Sequence, residues 1–407
     1  MKKHLKQIAD VNHNSYKVQS FPIKYLDTSN ISENVIDEIT LYKNKTSLPS
    51  RARRAVKDKT IIFSLVRPDQ KHFGLLNSPD SNLVVSTGFA TIDVKDKSEY
   101  SPEYIYYTLT HPDLVLHLHR IAKNNASSYP SLTPDDLLNL EIDFPDTYET
   151  QSRIGELLAS FESKIEVNRE LVTKLHTYLD LIFAYWFVQY EFPNKSGAPY
   201  ASSGGKFTLD SNLQRKIPSA WEVNKLSSLI DIKSGYSFKP SDYLNSGNYG
   251  IITIKNVKNR YLDIETMSYV NVIPSKLPSS CVLKKGDLLV SLTGNVGRSC
   301  LVDKDNLLLN QRVGIITGNS AEKRFAYLFF ARPEFRKRME NLANGSSQDN
   351  LSPVDLISDL QVLPPSDLLV KFEELTNPIV DKILSLTSEN RELKAKLIQL
   401  QTSLIRI

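Results

Sequence analysis

Cysteine is nearly absent from this sequence, and so are the long apolar runs that would place a chain in a membrane. The 407 residues include two cysteines, Cys281 and Cys300, which are too few for a disulfide framework or a cysteine-based metal site. No apolar stretch approaches the roughly 18 residues of a transmembrane helix. The start, Met1-Lys2-Lys3-His4, is basic but lacks the apolar core of a signal peptide. We therefore predict a cytoplasmic protein with no membrane partner.

Catalytic and cofactor-binding motifs are missing as well. The segment Gly294-Asn295-Val296-Gly297 lacks the spacing and the following Lys-Ser/Thr of a nucleotide-binding loop. Leu363-Pro364-Pro365-Ser366 lacks the amide or acid before the prolines, and the aromatic after them, of the catalytic loop of amino-methyltransferases. His117 and His119 stand two apart on a predicted helix, so they face different directions and make a poor metal pair. The sequence predicts no catalytic residue, no metal site and no cofactor in this chain.

A long helix is predicted over residues 145–193, with Thr147 and Thr150 able to cap its start. From Leu158 onward its apolar residues alternate in steps of three and four for about four heptads, which is a heptad seam. At about 1.5 Å per residue, a helix of roughly 40 residues spans about 60 Å. The alternative is a long core helix of one large domain. The later seam positions are Phe161, Ile165, Asn168, Val172, Leu175, Leu179, Ile182 and Trp186. A second apolar stripe, which one partner helix would leave uncovered, consists of Leu171, Tyr178, Leu181 and Tyr185.

The last segment of the chain, residues 366–407, repeats this helix. Asn168-Arg169-Glu170-Leu171 recurs there as Asn390-Arg391-Glu392-Leu393. A polar Asn on an apolar seam costs stability and usually fixes register or partner, so both Asn residues are candidates for that role. The seam positions of the second helix are Ile383, Leu386, Asn390, Leu393, Leu397, Leu400 and Leu404.

Shorter matches in a common order relate the two halves of the chain, with a period of about 220 residues. Residues 48–50 recur at 277–279, and the apolar segment 61–65 recurs at 288–292. Tyr106 and Pro112 match Tyr327 and Pro333, and the segments 127–137 and 346–356 match each other. We therefore predict an α+β fold with two similar mixed α/β modules in tandem, each followed by a long helix.

Each module is predicted to combine short strands with one longer helix. Strands are expected at 60–66 and 287–292, and helices at 103–121 and 321–339. The Gly-, Ser- and Pro-rich residues 193–206 divide the modules and predict a flexible linker.

Basic and amide side chains gather at several places in both halves. The formal net charge is only +4, so any nucleic-acid-binding surface must be local. Arg can read guanine, Asn and Gln can read adenine, and Lys and Ser contact phosphates. One such cluster alone is more often a solvated charged face, but their recurrence in both halves favours nucleic-acid binding. The candidates are Ser50, Arg51, Arg53, Arg54, Arg67, Lys71, Ser86, Thr87, Ser127, Ser128, Tyr236, Lys255, Asn256, Lys258, Arg260, Thr293, Asn295, Arg298, Asn310, Gln311, Arg312, Ser346 and Ser347.

Three features together carry a family resemblance. One is the order of domain, long helix, domain, long helix. Another is the strand and loop at 286–297 followed by Leu309-Asn310-Gln311-Arg312, and the third is Pro218-Ser219-Ala220-Trp221 at the start of the second domain. Over nearly its whole length the chain resembles the DNA-specificity (S) subunit of type I restriction-modification systems. The first domain lacks the Pro-x-x-Trp segment, and its residues 48–54 and 86–89 resemble another subtype of the recognition domain.

The resemblance implies two target-recognition domains, at residues 1–145 and 208–365. It implies conserved long helices at 146–192 and 366–407 and a linker at 193–207. The helices would pack as an antiparallel coiled coil that separates the domains, giving a pseudo-two-fold internal repeat. Each domain would read one half of a bipartite target in double-stranded DNA, and the helices are long enough to separate two half-sites by about one DNA turn, roughly 34 Å.

The resemblance also implies partners. Two methyltransferase (M) subunits, which bring S-adenosylmethionine, would dock on the long helices, and restriction (R) subunits, with ATP and Mg²⁺, would join outside them. On this hypothesis the chain binds and measures DNA but does not catalyse. The alternatives are an orphan DNA methyltransferase and a non-DNA adaptor with two modules on a coiled-coil strut. The helix residues expected to serve docking are Leu158, Phe161, Ile165, Asn168, Leu171, Leu175, Leu179, Ile383, Leu386, Asn390, Leu393, Leu397 and Leu400.

Overall fold

The computed structural model describes residues 1–16, 20–125, 129–344 and 352–407. Contacts divide the chain into two compact units. Unit 1 comprises Met1–Val167 and Asn390–Ile407, and unit 2 comprises Asn168–Glu389. Each unit therefore contains one module together with a part of each long helix.

The first module begins with a short strand and ends in a long helix. Its strands are β1 (Lys2–His4), β2 (Ala9–Val11), β3 (Ile23–Leu26), β4 (Ile31–Ser32), β5 (Val35–Ile36), β6 (Thr40–Tyr42), β7 (Ala52–Ala55), β8 (Thr60–Ser64), β9 (Phe73–Leu76), β10 (Leu83–Ser86), β11 (Phe89–Val94) and β12 (Glu141–Asp143). Its helices are α1 (Leu5–Ile8), α2 (Pro102–Leu109), α3 (Pro112–Asn125), α4 (Pro134–Leu138) and the long α5 (Tyr148–Phe183).

The second module follows the same plan after an extra hairpin. Its strands are β13 (Phe207–Asp210), β14 (Arg215–Pro218), β15 (Glu222–Lys225), β16 (Asp231–Ser234), β17 (Tyr249–Ile252), β18 (Ser268–Val270), β19 (Val282–Leu283), β20 (Leu288–Ser291), β21 (Ser299–Leu301), β22 (Leu307–Leu309), β23 (Val313–Thr317) and β24 (Leu360–Leu363). Its helices are α6 (Ser320–Ala331), α7 (Pro333–Asn344), α8 (Pro353–Ile357) and the long α9 (Ser366–Leu404).

The two modules share their sheet topology, which confirms the predicted duplication. In the first module the four-stranded sheets have the orders β6-β3-β10-β7 and β2-β11-β8-β9, and β1 pairs with β12. In the second the orders are β18-β17-β22-β19 and β16-β23-β20-β21, and β15 pairs with β24. The pairs β3–β10 and β17–β22 are parallel, while the other pairs in these sheets are antiparallel. The same strand orders and the same parallel pair would not recur by chance. The short sequence matches between the two halves therefore identify structurally equivalent residues.

The predicted helices at 103–121 and 321–339 are each broken in two, so the prediction of single helices was wrong. The second helix of each pair begins with a proline, Pro112 in α3 and Pro333 in α7. Proline has no backbone N–H to donate, and it disfavours the helical conformation in the residue before it. Arg332, which precedes Pro333, is accordingly extended, with φ −65° and ψ 135°.

The segment expected to be a flexible linker is folded instead. Phe192 stacks on Trp221 with ring centroids 5.1 Å apart, and Tyr200 stacks on Phe192 at 4.6 Å. The backbone N–H of Tyr200 also donates to the carbonyl of Phe192 at 2.9 Å. The Gly- and Ser-rich composition permits tight turns here, and aromatic burial then anchors the segment on the second module.

Both long helices are present as predicted, and they share both units. The backbone N–H of Thr150 donates to Thr147 Oγ1 at 3.2 Å, which confirms Thr147 as a cap at the start of α5. A π-helical turn, Ala184–Val188, follows the end of α5. The start of α5 shares unit 1 with the end of α9, and the end of α5 shares unit 2 with the start of α9, which is the antiparallel order.

Contacts between the two helices occur within each unit. In unit 1, the Asn390 side-chain amide donates to the backbone carbonyl of Ile165 at 3.1 Å. In unit 2, the Phe372 ring lies 6.1 Å from that of Phe183 and 4.6 Å from that of Phe187. Within the described residues, no helix is long and apolar enough to cross a membrane.

Candidate nucleic-acid interface

The second module brings three loops together at one edge of its β16-β23-β20-β21 sheet. They follow β16, β20 and β22. The backbone N–H of Leu292 donates to the carbonyl of Arg312 at 3.1 Å, and that of Gln311 donates to the carbonyl of Tyr236 at 2.9 Å. These bonds hold the loops side by side, so Tyr236, Arg298, Gln311 and Arg312 belong to one edge. We call this the second recognition edge.

A glycine and a buried amide shape this edge. A Cβ on Gly235 would collide with the backbone carbonyl of Asn310, so the close approach of the two loops depends on glycine at 235. Asn310 Nδ2 donates to the hydroxyl of Tyr243 at 3.2 Å, and Asn310 Oδ1 accepts from the backbone N–H of Arg312 at 3.3 Å. Asn310 is buried by these contacts, while Gln311 and Arg312 remain exposed.

A buried serine at the end of the central strand fixes the loop that follows in both modules. The Ser291 hydroxyl donates to the carbonyl of Asn295 at 2.5 Å and accepts from the backbone N–H of Arg298 at 3.1 Å. Its counterpart Ser64 donates to the carbonyl of Val66 at 2.9 Å and accepts from the N–H of the same residue at 3.2 Å. Both serines are almost fully buried. Neither was a candidate, although the repeat aligned them, and this is a signal that sequence reasoning missed.

The remaining loop residues of the second edge differ in exposure. Asn295 is exposed, and Arg298 and Thr293 are half-buried. The hydroxyl of Thr293 is itself buried and makes no hydrogen bond within the residues that the structure describes.

Most of the candidates at 255–260 serve the fold. Asn256 is buried: its amide oxygen accepts from the backbone N–H of Thr253 at 2.9 Å, and its amide nitrogen donates to the carbonyl of Asp263 at 2.8 Å. Lys258 forms an ion pair with Asp263 at 3.7 Å, while Lys255 is exposed. The side chains of Asn256 and Lys258 are therefore already engaged within their own loop.

Arg260 ties its loop to the long helix α5. Its guanidinium pairs with Asp180, and it lies 5.9 Å above the ring of Tyr327. The hydroxyl of Tyr327 in turn shares a hydrogen bond with His176 of α5 at 3.0 Å. Burial, with the charge of Arg260 adding to it, lowers the pKa of His176 to about 4, so this contact is uncharged at neutral pH.

The first module forms a corresponding edge from the loops after β2, β8 and β10 together with residues 50–53 at the start of β7, which we call the first recognition edge. The backbone N–H of Thr87 donates to the carbonyl of Arg51 at 2.9 Å, and that of Leu65 donates to the carbonyl of Gly88 at 2.9 Å. The backbone N–H of Tyr16 reaches the carbonyl of Arg53 at 2.8 Å. Arg51 and Arg53 are exposed at this edge, as is Ser50.

Two other candidates in the first module are inward-facing. Ser86 is buried, and its hydroxyl accepts from the backbone N–H of Gly88 at 3.3 Å. Arg54 is half-buried, and this burial lowers the pKa of its guanidinium. The hydroxyl of Ser86 therefore supports the turn at the edge and is not exposed on it.

The loop after β8 holds Arg67 and Lys71, which have different partners. Arg67 has a left-handed backbone with φ +47°, and its guanidinium lies 4.9 Å above the ring of the exposed Tyr129. Tyr129 was not a candidate, because a single aromatic residue carries no sequence signal for this role. Lys71 forms an ion pair with Glu33 at 2.7 Å. Ser127, Ser128, Ser346 and Ser347 lie outside the residues that the structure describes.

The long helices have a buried face and an exposed apolar face. The exposed stripe lies on the unit 2 part of α5, where Tyr178 is 57% and Leu181 is 62% exposed. It includes Leu171, Tyr178 and Leu181 of α5 and continues through Tyr185 and Val188 of the π-helical turn. Of the helix residues expected to dock partners, those buried within the chain are Leu158, Ile165, Asn168, Leu179, Ile383 and Leu386. Those partly buried are Phe161, Leu175, Asn390, Leu393, Leu397 and Leu400.

Metal-binding clusters are not found in the described part of the chain: no group of three or more His, Cys, Asp or Glu side chains is placed to hold an ion. The fold and its edges instead define a class of protein, one with two related recognition modules carried on a pair of long helices.

The family model for the type I restriction modification DNA specificity domain matches residues 1–177 and 218–358. The chain belongs to this family. It is similar to the specificity subunit of the type I restriction enzyme HindI of Haemophilus influenzae, with 23% identity over 442 residues and 95% of each chain covered. The MjaIX specificity subunit of Methanocaldococcus jannaschii is 20% identical over 348 residues, covering 83% of this chain and 77% of the relative.

A solved structure supports the fold. The crystal structure of the type I restriction-modification system S subunit from M. genitalium matches with a TM-score of 0.57 at 15% identity, covering 100% of this chain and 96% of that chain. Family and relatives together make this chain a specificity subunit, which is a non-catalytic component, and the adaptor alternative is not favoured.

Proposed function

We propose that each module reads one half of a split DNA target through its recognition edge. One observation carries this proposal: each of two modules that share the topology of their four-stranded sheets has an edge with exposed basic or amide side chains. The chemistry of the two edges differs, with Arg51 and Arg53 on the first edge and Gln311 and Arg312 on the second. Because the two edges carry different side chains, we expect them to read two half-sites of different sequence.

The segments of the chain then take separate roles. Residues 1–145 and 208–365 are the two target-recognition domains, and residues 193–207 are the connection between them. The long helices at 146–192 and 366–407 act as the spacer. Arg51, Arg53, Arg67 and Thr87 contact DNA from the first domain, and Tyr236, Asn295, Arg298, Gln311 and Arg312 contact it from the second.

Partner subunits occupy the exposed apolar stripe on α5. Several seam residues are already buried within the chain, so they hold the helix pair together. The stripe formed by Leu171, Tyr178, Leu181, Tyr185 and Val188 remains available, and an apolar stripe at helical spacing suits a partner helix. We assign it to one of two methyltransferase subunits, which carry S-adenosylmethionine. Restriction subunits, using ATP and Mg²⁺, complete the assembly in the cytoplasm.

Methylation mapping tests this function directly. The chain is co-expressed with its methyltransferase subunit in a host that lacks the modification, and methylated bases are mapped across the genome. We expect a new motif with two specific halves and a gap of fixed length, because two edges on one helix pair read two separated segments.

The control is the same methyltransferase with the specificity subunit of another system. Methylation with that subunit, but none with a soluble complex containing this chain, would overturn the proposal. A continuous motif without a gap would equally contradict it, since one edge would then suffice.

A further inference from the structure

A tight turn in the first module, Glu33-Asn34, contacts both long helices within unit 1. The turn joins β4 to β5, and both of its residues have left-handed backbones, with φ +46° and +67°. Asn adopts this conformation readily, while Glu does so rarely, so the surroundings must hold the turn in place. The backbone N–H groups of Glu33 and Asn34 donate to the carbonyls of Lys71 and Phe73, each at 2.9 Å.

The side chain of Asn34 links the module to α5. Its amide nitrogen donates to Glu162 Oε2 at 2.9 Å, while its amide oxygen accepts from the backbone N–H of Leu75 in β9 at 2.9 Å. The same Glu162 carboxylate accepts from the hydroxyl of Tyr106 at 3.5 Å. One amide therefore bridges a strand of the recognition module and the long helix.

The side chain of Glu33 links the module to α9. Its carboxylate lies 2.5 Å from Lys394 Nζ of α9 and 2.7 Å from Lys71 Nζ. Lys71 closes the short turn that starts at Arg67, through a hydrogen bond from its backbone N–H to the carbonyl of Pro68 at 3.0 Å. Lys71, which pairs with Glu33, thus lies four residues along the chain from Arg67, a candidate DNA-contacting arginine.

The charged groups of this contact are partly buried, which bears on how the module is held on its helices. Burial on its own would raise the pKa of Glu33, but Lys394 and Lys71 outweigh it and hold that pKa below its usual range. Burial raises the pKa of Glu162, although Asn34 and the tyrosine hydroxyls act against it. Charged groups withdrawn from water add little net stability, yet breaking one partner is costly, which favours a single arrangement of the module on its helices.

The second module is attached by different chemistry. There the module supplies the cation, Arg260, and α5 supplies the carboxylate, Asp180. In the first module the turn supplies the carboxylate, Glu33, and α9 supplies the cation, Lys394. The ion pair that joins a module to a long helix is therefore not repeated between the modules, because each module uses different residues for it.

We propose that Glu33, Asn34, Glu162 and Lys394 are positioning residues that fix the first recognition edge on its helices and thereby set the spacer length that the complex accepts. The inference rests on the proposed split target. One added base pair moves a half-site by about 3.4 Å and rotates it by about a tenth of a turn. Hydrogen bonds that hold only between about 2.7 and 3.2 Å cannot follow such a displacement.

The variant Asn34→Asp tests this with the least disturbance. It keeps the oxygen that accepts from Leu75 and tolerates the left-handed turn, but it places a second carboxylate against Glu162. We measure methylation by the assembled complex on duplexes with both half-sites and the natural spacer, or a spacer one base pair longer or shorter. We expect the preference for the natural spacer to fall about tenfold, the effect of losing one charge-assisted hydrogen bond, with the same bases read in each half.

A second substitution provides the rescue. In the double variant Asn34→Asp with Glu162→Gln, the amide donates to the new carboxylate, so the spacer preference should return. Glu33→Gln should weaken the spacer preference as Asn34→Asp does.

The matched controls are Asp80→Asn, which loses the exposed ion pair with Lys24 at 2.5 Å, and Asn77→Ala, which loses the hydrogen bond from Lys59 at 2.7 Å. Both controls should keep the wild-type preference.

The outcomes separate this inference from the proposed function. A wild-type complex without a split motif would remove the proposed function. A split motif whose spacer preference is unchanged in the Asn34→Asp and Glu33→Gln variants would overturn the positioning role alone. A parallel loss at every spacer length, without rescue by the double variant, would also overturn it, since that pattern reports general destabilisation.

Discussion

Arg260 and Arg312 show how two side chains of one type take different roles in a single module. Arg260 has a side chain only 12% exposed, pairs with Asp180 and lies over the ring of Tyr327. Arg312 is exposed, and its backbone is held in the loop after β22. An arginine that is desolvated and paired with a carboxylate contributes to the fold. An exposed arginine on a well-ordered backbone can instead contact a base or a phosphate.

Replacement of Arg312 tests its role. Arg312→Ala should lower the affinity of the assembled complex for its target about 10- to 100-fold, because one arginine contact to a base contributes about 1–3 kcal/mol. The loss should fall on the half-site read by the second domain. Affinity is measured by titrating labelled duplexes that carry substitutions in either half.

Two further substitutions give that measurement its controls. Lys304→Ala removes an exposed charge from the turn before β22, at the other end of these strands, and should change little. Arg312→Lys distinguishes the contacts, because lysine keeps a phosphate contact but not a bidentate base contact. Full affinity and unchanged base preference in Arg312→Ala would remove this residue from the interface.

At the scale of elements, the long helix α5 divides its surface between two tasks. Leu179 and Phe183 are buried in the core of unit 2, next to residues of α9 such as Phe372 and Ile383. Leu171, Tyr178, Leu181, Tyr185 and Val188 form a stripe that this core leaves exposed. A helix that is apolar on more than one face needs more than one packing partner, so the stripe, and not the buried seam, is the surface proposed for docking.

Leu181→Glu is the substitution that tests the stripe. We expect the specificity subunit to fold normally and its association with the methyltransferase subunit to weaken about tenfold or more, because a charge would be buried in an apolar contact. Co-purification and analytical ultracentrifugation report the association, and thermal unfolding of the isolated chain reports the fold. Thr173→Glu adds the same charge at an exposed position of α5 outside the stripe and should bind normally. Normal assembly with Leu181→Glu would exclude the stripe as the docking surface.

At the scale of the whole molecule, the two units share one plan in different chain orders. Unit 2 runs as helix part, module and helix part in continuous sequence. Unit 1 has the same order only when its C-terminal piece is placed before residue 1, so it resembles unit 2 after circular permutation. Ile405, only 3% exposed, lies in the same core as Leu5 and Ile8 of the first module.

Exchange of the first domain tests this organisation. Replacing residues 1–145 with those of a relative such as the HindI subunit should change one half of the methylated motif and leave the other half intact. Genome-wide methylation mapping, as for the parent chain, gives the result. The exchange leaves Glu162 and Lys394 in place, so a donor domain without a Glu33-Asn34 turn should also lose spacer selectivity. A change in both halves would show that the domains do not read independently.

The sequence by itself determined the duplication, the two long helices and the α+β class. These follow from local patterns: a heptad seam is visible in one dimension, and a repeated segment is visible wherever its residues recur. The proline breaks at Pro112 and Pro333 were also present in the sequence, but the apolar periodicity on both sides obscured them.

Only the tertiary structure decided which candidates share an edge and which serve the fold. Arg260 and Lys71 look like DNA contacts in sequence, yet each pairs with a carboxylate on another element of the fold. Their partners lie up to 80 residues away in the chain, as for Arg260 and Asp180. A side chain's availability depends on these long-range contacts and on burial, and no local pattern encodes either of them.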